Sequence, residues 1–335
     1  MNGFHPLRHL RLGAAALGVL FLCAMTAHGQ DFGAGFVNVQ VTDPVGGQAM
    51  AATLFYPSSV KPDHPFQLGP YVVQARPGLP PAPGAFPLVA VSHGHAGSHL
   101  GHHDLATYLA QRGFVVASVD HAGDNYQDQS GFGTDTVMLG RPLQISALID
   151  VALRHPLIGP RIDPGRIGAM GFSAGGYTVL LLAGAWPRFE LGAAYGRRHP
   201  EDKELAGAGQ APRRHPEITS VADARVKAIF VMAPLGIFFD RQALSAVKAP
   251  VFLYAAEQDR VLLVDENAAH VRDCLPAPPV YRTIPGAGHY VFLAPTPALR
   301  DTLPDLFADA PGIDRAAIHQ RICQDALGFF QQQLR

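Results

Sequence analysis

One serine in the chain stands in a pattern that can turn its hydroxyl into a nucleophile. Residues 171–175 read Gly-Phe-Ser-Ala-Gly, which matches the G-x-S-x-G motif of a sharp strand-to-helix turn. The apolar run before Ser173 predicts a strand, and the segment after it predicts a helix. Small residues at 171 and 175 allow the close approach that this turn requires. We therefore predict that Ser173 is the nucleophile; the alternative interpretation is a purely structural glycine turn.

A serine hydroxyl is a weak nucleophile and needs a base, which a carboxylate in turn orients. Asp259 follows a predicted strand at 251–255, and His289 follows another at 280–284. Both residues therefore fall on loops at the carboxyl ends of strands, where open α/β sheets bind their ligands. The chain order of serine, acid and histidine is also the order that the motif demands. We predict that Ser173, Asp259 and His289 form a catalytic triad.

Other acids and histidines compete for these roles. Glu257 is expected inside the strand end and Asp265 along the following helix, which leaves Asp240 as the credible substitute for Asp259. His270 and His319 lie on helical segments and are expected to be plain surface residues.

Acyl transfer also requires donors for a developing oxyanion. One donor is expected to be the backbone N–H of Ala174, directly after the nucleophile. The second is expected from the loop after a core strand, which reads Ser-His-Gly-His-Ala-Gly-Ser at 92–98. Gly94 permits a turn there, and the backbone N–H of His95 is the candidate.

Histidines are frequent near this loop, which raises zinc as a competing interpretation. The histidines concerned are His93, His95, His99, His102, His103 and His121. The chain has no H-E-x-x-H pattern, and no phosphate-binding glycine motif with its lysine is present. The sequence therefore predicts neither a metal nor an organic cofactor.

Alternating strand-like and helix-like segments must position these residues. That alternation predicts an α/β fold with a mostly parallel central sheet flanked by helices. Segments 36–41 and 53–56 predict an antiparallel hairpin at one sheet edge. Residues 57–87 form a long Pro-rich loop, and the charged stretch 186–224 is a cap-like insertion. No linker divides the core, so residues 30–335 are predicted to be a single domain.

The first 29 residues have the layout of a secretory signal peptide. Arg8 and Arg11 precede an uncharged run from Leu12 to Ala27, and small residues follow before Gln30. The alternative is a membrane anchor, but the run is shorter than the roughly 20 residues that span a bilayer. The sequence thus predicts an exported protein, periplasmic or extracellular, with no stable membrane anchor after cleavage.

Charge and cysteine content bound the partners of the mature chain. The full chain has 26 basic and 27 acidic residues, and loss of Arg8 and Arg11 leaves it slightly more acidic. No Lys/Arg run is present, which excludes a broad nucleic-acid footprint. Because an exported protein meets an oxidising compartment, Cys274 and Cys323 are predicted to form a disulfide, with two buried thiols as the alternative.

The chain resembles the α/β-hydrolase superfamily, and within it the dienelactone-hydrolase-like group related to platelet-activating-factor acetylhydrolase. The matching stretches run in the expected order over about 60–330: residues 68–71, 86–94, 120–125, 171–176, 254–259 and 286–289.

This resemblance implies a serine carboxylic-ester hydrolase with the triad already inferred. One departure matters, since true dienelactone hydrolases carry a cysteine nucleophile where this chain has Ser173. The acetylhydrolase resemblance favours short or medium acyl esters over a lactone. A lipase, a polyester hydrolase and a serine peptidase remain open as alternatives that use the same triad. A non-enzymatic binding protein is the alternative from another class.

Overall fold

The computed structural model describes residues 1–3, 31–208 and 212–335. The predicted signal peptide at 1–29 lies outside these ranges except for its first three residues.

A mixed sheet of nine strands organises the described chain. Six neighbouring strands are parallel, and an antiparallel hairpin pairs with them on one side. The order across the sheet is β11-β10-β9-β8-β6-β7-β2-β1-β5. The strands are β1 (Gly33–Thr42), β2 (Ala49–Ser58), β5 (Arg76–Pro77), β6 (Phe86–Ser92), β7 (Val115–Val119), β8 (Ile162–Phe172), β9 (Val226–Met232), β10 (Val251–Ala256) and β11 (Val280–Ile284), with β3 (Phe66–Leu68) and β4 (Tyr71–Val73) in a separate two-stranded ribbon.

Helices cover both faces of this sheet. The α-helices are α1 (His103–Ala110), α2 (Asp135–Met138), α3 (Gly140–Arg154), α4 (Ala174–Leu182), α5 (Phe189–Arg198), α6 (Lys203–Gly207), α7 (Ala268–Cys274), α8 (Pro304–Phe307) and α9 (Arg315–Gln333). The helical stretch Asp135–Arg154 is long and apolar enough to cross a membrane, but 61% of its most apolar window is buried in the fold. It packs as a core helix does.

The sheet separates two apolar layers. Alternate residues of β6 point to opposite faces, Leu88 and Ala90 to one and Val89 and Val91 to the other. Helices α3, α4 and α7 pack on the first face, and α1 and α9 on the second. Because both faces are covered, the core strands are apolar throughout, as their sequences predict.

The two segments that the sequence sets apart have structure of their own. Residues 57–87 contain β3, β4 and β5 rather than an unbroken loop, and the β3–β4 ribbon packs its Phe66 on Phe36 with ring centroids 5.6 Å apart. The hairpin β1–β2 therefore lies one short strand in from the sheet edge. Within 186–224, the described residues form α5 and α6.

The predicted disulfide is wrong, since Cys274 and Cys323 are both free thiols. Cys274 packs against the apolar layer on one face of the sheet, and Cys323 lies in the layer on the other. The sheet stands between the two sulfur atoms, whereas a disulfide requires Cα atoms within about 7 Å of each other. The alternative interpretation applies to Cys323, whose burial also raises the pKa of its thiol.

Candidate active site

Ser173 lies in the sharp turn between β8 and α4, as its motif predicts. Its backbone has φ 56° and ψ −119°, a conformation that L-residues rarely adopt and that costs of order 1–3 kcal/mol. Neighbouring strands hold it there: the Ser173 N–H donates to the carbonyl of Met232 at 2.9 Å, and its own carbonyl accepts from Leu235 at 3.1 Å. The serine is therefore fixed in place before any substrate arrives.

The glycines of the motif are required because backbone approaches backbone at this turn. A Cβ added to Gly175 would lie 1.9 Å from the carbonyl oxygen of Ser92, and one added to Gly171 would lie 2.1 Å from that of Gly175. Neither contact is possible for a real side chain, so the residue types at these two positions follow directly from the packing of β8, α4 and β6.

His289 connects the serine to the acid. Its Nε2 lies 3.0 Å from Ser173 Oγ, and its Nδ1 lies 2.6 Å from Asp259 Oδ2. The second oxygen of Asp259 accepts the backbone N–H groups of Val261 at 3.0 Å and Leu262 at 2.8 Å. The acid, histidine and serine are all buried. The structure thus brings the three predicted residues into one hydrogen-bonded chain.

Two of the rival acids, Asp240 and Glu257, bind partners other than His289. Asp240 pairs with Arg188 and caps the backbone N–H of Ala243. Glu257 is exposed rather than enclosed in the strand end, and it accepts the backbone N–H of Gly286 at 2.8 Å. That contact joins the loop that carries Asp259 to the loop that carries His289.

The loop after β6 lies directly against Ser173. A Cβ on Gly94 would be 3.3 Å from the Ser173 Cβ and 3.1 Å from the Phe172 ring. Gly94 is therefore needed for this close approach rather than for a left-handed turn, which Ala96 makes instead with φ 53°. The backbone N–H groups of His95 and Ala174 donate to no acceptor within the described residues, while both residues line the cavity at Ser173. Their role as oxyanion donors stays a prediction.

The side chain of His95 is held from three directions. Its Nδ1 lies 2.5 Å from Asp124 Oδ1, its Nε2 lies 3.2 Å from Glu204 Oε1, and its ring packs on Phe132 at a centroid distance of 4.1 Å. Asp124 is itself buried and pairs with Arg141 at 2.6 Å. Burial alone would raise the pKa of Asp124, but Arg141 and then His95 outweigh it and lower that pKa to about 2.

Behind the loop, His93 and His121 belong to a buried polar network. His93 Nδ1 donates to the carbonyl of Gly94 at 2.6 Å, and its Nε2 accepts the backbone N–H of His121 at 3.1 Å. His121 in turn bonds Ser92 Oγ at 2.9 Å and Gln144 Oε1 at 2.7 Å. Desolvation first, and the nearby charge of Arg141 second, lower the pKa of His93 to about 3. These two histidines support the loop as neutral rings.

The histidine-rich segment makes no metal site in the part of the chain that the structure describes. No group of three or more His, Cys, Asp or Glu side chains converges there to hold an ion. His99, for example, places its Nδ1 2.9 Å from Asp120.

The expectation of a surface position is wrong for His319, whereas His270 is partly exposed. His319 is 3% exposed; its Nδ1 lies 2.5 Å from Asp104 Oδ2, and its Nε2 donates to the carbonyl of Val291 at 2.8 Å. His270 Nε2 donates to the carbonyl of Phe239 at 2.6 Å. For His319 a signal existed in its helix, since Ile318, Ile322 and Ala326 place an apolar face beside it.

A cavity of about 290 Å³ opens at Ser173. Its walls combine apolar and aromatic side chains with a charged rim, in which α6 of the insertion takes part. The lining residues are His95, Phe132, Phe172, Ser173, Ala174, Asp202, Glu204, Leu205, Leu235, Arg260, Val261, Leu262, His289 and Tyr290. This volume lies at the small end of the range of about 300–1,000 Å³ for ligand pockets.

Comparison with known proteins bears on the fold. No protein-family model and no curated protein matches the chain. Among solved structures, a ferulic acid esterase from Streptomyces cinnamoneus is similar, with a TM-score of 0.62 and 21% sequence identity over 91% of each chain. At this identity the likeness establishes architecture alone. Together with the strand order and the turn at Ser173, it shows that the chain has the α/β-hydrolase fold.

Proposed function

We propose that this protein is a serine carboxylic-ester hydrolase that works through an acyl-enzyme intermediate. The observation that carries the proposal is the hydrogen-bonded chain from Ser173 through His289 to Asp259, with links of 3.0 and 2.6 Å. The fold of a solved esterase supports it, although likeness of fold alone does not fix function.

In the proposed reaction, Ser173 Oγ attacks the ester carbonyl while His289 Nε2 takes its proton. Asp259 orients the ring and stabilises the charge that forms on it. In this proposal the oxyanion is bound by the backbone N–H groups of His95 and Ala174, two residues that line the cavity. His289 then protonates the leaving alcohol. In the second half of the reaction, water attacks the acyl-enzyme while His289 takes its proton, and His289 returns that proton to Ser173 as the acid product leaves.

The size of the cavity favours short or medium acyl esters. Its volume of about 290 Å³ leaves little room for a long acyl chain, which argues against a lipase or a polyester hydrolase. A dienelactone-hydrolase-like or acetylhydrolase-like enzyme fits this size, and Ser173 in place of a cysteine separates it from true dienelactone hydrolases. A serine peptidase would use the same triad, but nothing in the cavity favours an amide.

Esters of an aromatic acid are a second candidate substrate. The neighbour in fold is named for ferulic acid, and the rings of Phe132, Phe172 and Tyr290 line the cavity here. Flat aromatic walls stack favourably on an aromatic acyl group. Relative rates on p-nitrophenyl acetate and on methyl ferulate distinguish the two candidates.

We also propose that residues 1–29 direct export and that the mature enzyme needs no cofactor, nucleic acid or membrane anchor. The layout of the N-terminal segment and the absence of a basic run in the sequence support this. The compartment implied is the periplasm or the extracellular medium.

The test is Ser173→Ala in the exported protein, whose first residue is expected to be Gln30. Hydrolysis of p-nitrophenyl acetate is expected to fall by about 10⁶-fold, since loss of the nucleophile leaves only binding and the oxyanion donors. A fluorophosphonate probe should label the wild type and not the variant. Ser245→Ala is the matched control, because that exposed hydroxyl bonds only the carbonyl of Gln242. Unchanged turnover in Ser173→Ala would refute the assignment.

A further inference from the structure

Helix α6 is too short to hold itself over the cavity. It has five residues, whereas isolated helices below about 12–15 residues are marginal in water. Leu205 nevertheless reaches the cavity from it and is only 8% exposed. Tertiary contacts must therefore fix where this wall of the cavity stands.

Some of those contacts join α6 to α5 within the insertion. Asp202 caps α6 by accepting the Leu205 N–H at 3.1 Å, and its other oxygen accepts the Tyr195 hydroxyl at 2.9 Å. Gly196 of α5 lies so close to Ala206 that an added Cβ would be 2.6 Å from the Ala206 Cβ. These contacts make α5 and α6 one unit, but they do not set its distance from Ser173.

An ion pair joins α6 to the loop that faces the nucleophile. Glu204 Oε1 lies 3.2 Å from His95 Nε2. The other side of the ring is committed to Asp124, which is buried and held by Arg141. Both ring nitrogens thus face carboxylates, Nδ1 in a hydrogen bond with Asp124 and Nε2 in a charge contact with Glu204. The Glu204 side chain is 60% exposed. We therefore expect its contact with His95 to break more readily than the contact between His95 and the buried Asp124.

We propose that Glu204 is a positioning residue that limits acyl-chain length. Glu204 holds α6, through His95, against the loop at residues 92–98. Helix α6 in turn places Leu205 in the wall of the cavity. The inference rests on the proposed ester hydrolysis at Ser173. It assigns to the insertion a role in choosing the substrate rather than in the chemistry.

The experiment compares Glu204→Ala, Glu204→Gln and Glu201→Ala. The measured quantity is the ratio of kcat/KM for p-nitrophenyl octanoate to that for p-nitrophenyl acetate. Glu204→Ala should raise the ratio by about two- to five-fold, the range that a partly exposed ion pair can supply, mainly through a lower KM for octanoate. Glu204→Gln should raise the ratio as well, because the amide carries no charge to attract His95. Glu201, whose exposed side chain pairs with His199, is the matched control and should change nothing.

Leu205→Ala provides the second variant, since it enlarges the cavity without touching the ion pair. It should also raise the octanoate ratio. A wild-type ratio in Glu204→Ala, Glu204→Gln or Leu205→Ala overturns the proposal, and so does a raised ratio in Glu201→Ala.

A structural readout separates this inference from the proposed function. Backbone hydrogen exchange at residues 203–207 should be faster in Glu204→Ala and Glu204→Gln than in the wild type or Glu201→Ala. If the wild type hydrolyses neither ester and no probe labels Ser173, the proposed function fails. Unaltered exchange in Glu204→Ala rejects the role of Glu204 independently of any activity.

Discussion

Two Asp–His pairs with buried histidines meet the same short turn at residues 289–292, and only one of them faces a serine hydroxyl. In the first pair His289 Nδ1 lies 2.6 Å from Asp259, and in the second His319 Nδ1 lies 2.5 Å from Asp104. Both histidine side chains are at most 3% exposed. The pairs are therefore alike in length and in the burial of the histidine, whereas the Asp104 side chain is 22% exposed and that of Asp259 2%.

They differ in what the remaining ring nitrogen meets. His289 Nε2 faces the Ser173 hydroxyl, which can donate a proton as well as accept one, at the wall of an open cavity. His319 Nε2 faces the carbonyl of Val291, which only accepts. The first ring can therefore take up a proton during a reaction, whereas the second is a fixed donor that anchors the turn. An Asp–His pair acquires a catalytic role only through its third partner.

Within this comparison, the largest expected effect on activity comes from replacing the acid of each pair in turn. Asp259→Asn should lower kcat for p-nitrophenyl acetate by about 10⁴-fold, since the amide no longer favours the ring tautomer that accepts the serine proton. Asp104→Asn should lower it by less than about tenfold, because Asp104 touches no reacting atom. Equal losses in the two variants would contradict the contrast drawn here.

Loss of His319 should lower the free energy of unfolding, because this histidine anchors the turn at residues 289–292. His319→Gln leaves the Asp104 carboxylate, which is largely buried, without its ion-pair partner, and should cost about 3 kcal/mol in the free energy of unfolding. His270→Gln is the matched control, since it removes a single bond to a carbonyl and should cost about 1 kcal/mol. Urea denaturation measures both. A smaller cost for His319→Gln than for His270→Gln would show that the second pair does not anchor the turn.

The buried rings of His93 and His121, behind the loop at residues 92–98, should make the stability of the protein depend on pH. Desolvation lowers the pKa of His93 to about 3 and takes that of His121 well below its ordinary value of 6.5. Between about pH 3 and 6.5 the unfolded chain binds protons that these rings exclude, so stability is full above pH 6.5 and falls as the pH drops toward 3. The slope is up to about 1.4 kcal/mol per pH unit for each ring.

Urea denaturation at pH 7.5 and pH 5.0 measures this loss. His64→Gln serves as the control, because that ring is exposed and its removal should leave the slope unchanged. Equal stability at the two pH values would mean that His93 and His121 are not held neutral.

Local pattern was sufficient to predict most of the fold and the reacting groups. The core strand 280–284 begins and ends at the predicted residues, and the strand predicted at 251–255 ends one residue later, because apolar runs bounded by turns are encoded over a few positions. The helix expected to carry Asp265 instead begins at Ala268. The backbone at 261 and 262 turns toward Asp259 and donates to its carboxylate, which no periodicity reveals.

The sequence by itself determined the turn at Ser173, the glycines that permit it, and the order in which acid and histidine follow on strand ends. These features depend on neighbours in the chain. Tertiary structure alone decided that His319 anchors a turn, that His95 links Asp124 to Glu204, and that the two cysteines lie on opposite faces of the sheet. His319 and Asp104 are 215 residues apart, so their contact arises from how α1 and α9 pack on one face. The role of a polar side chain depends on the partners it meets, and distant packing selects those partners.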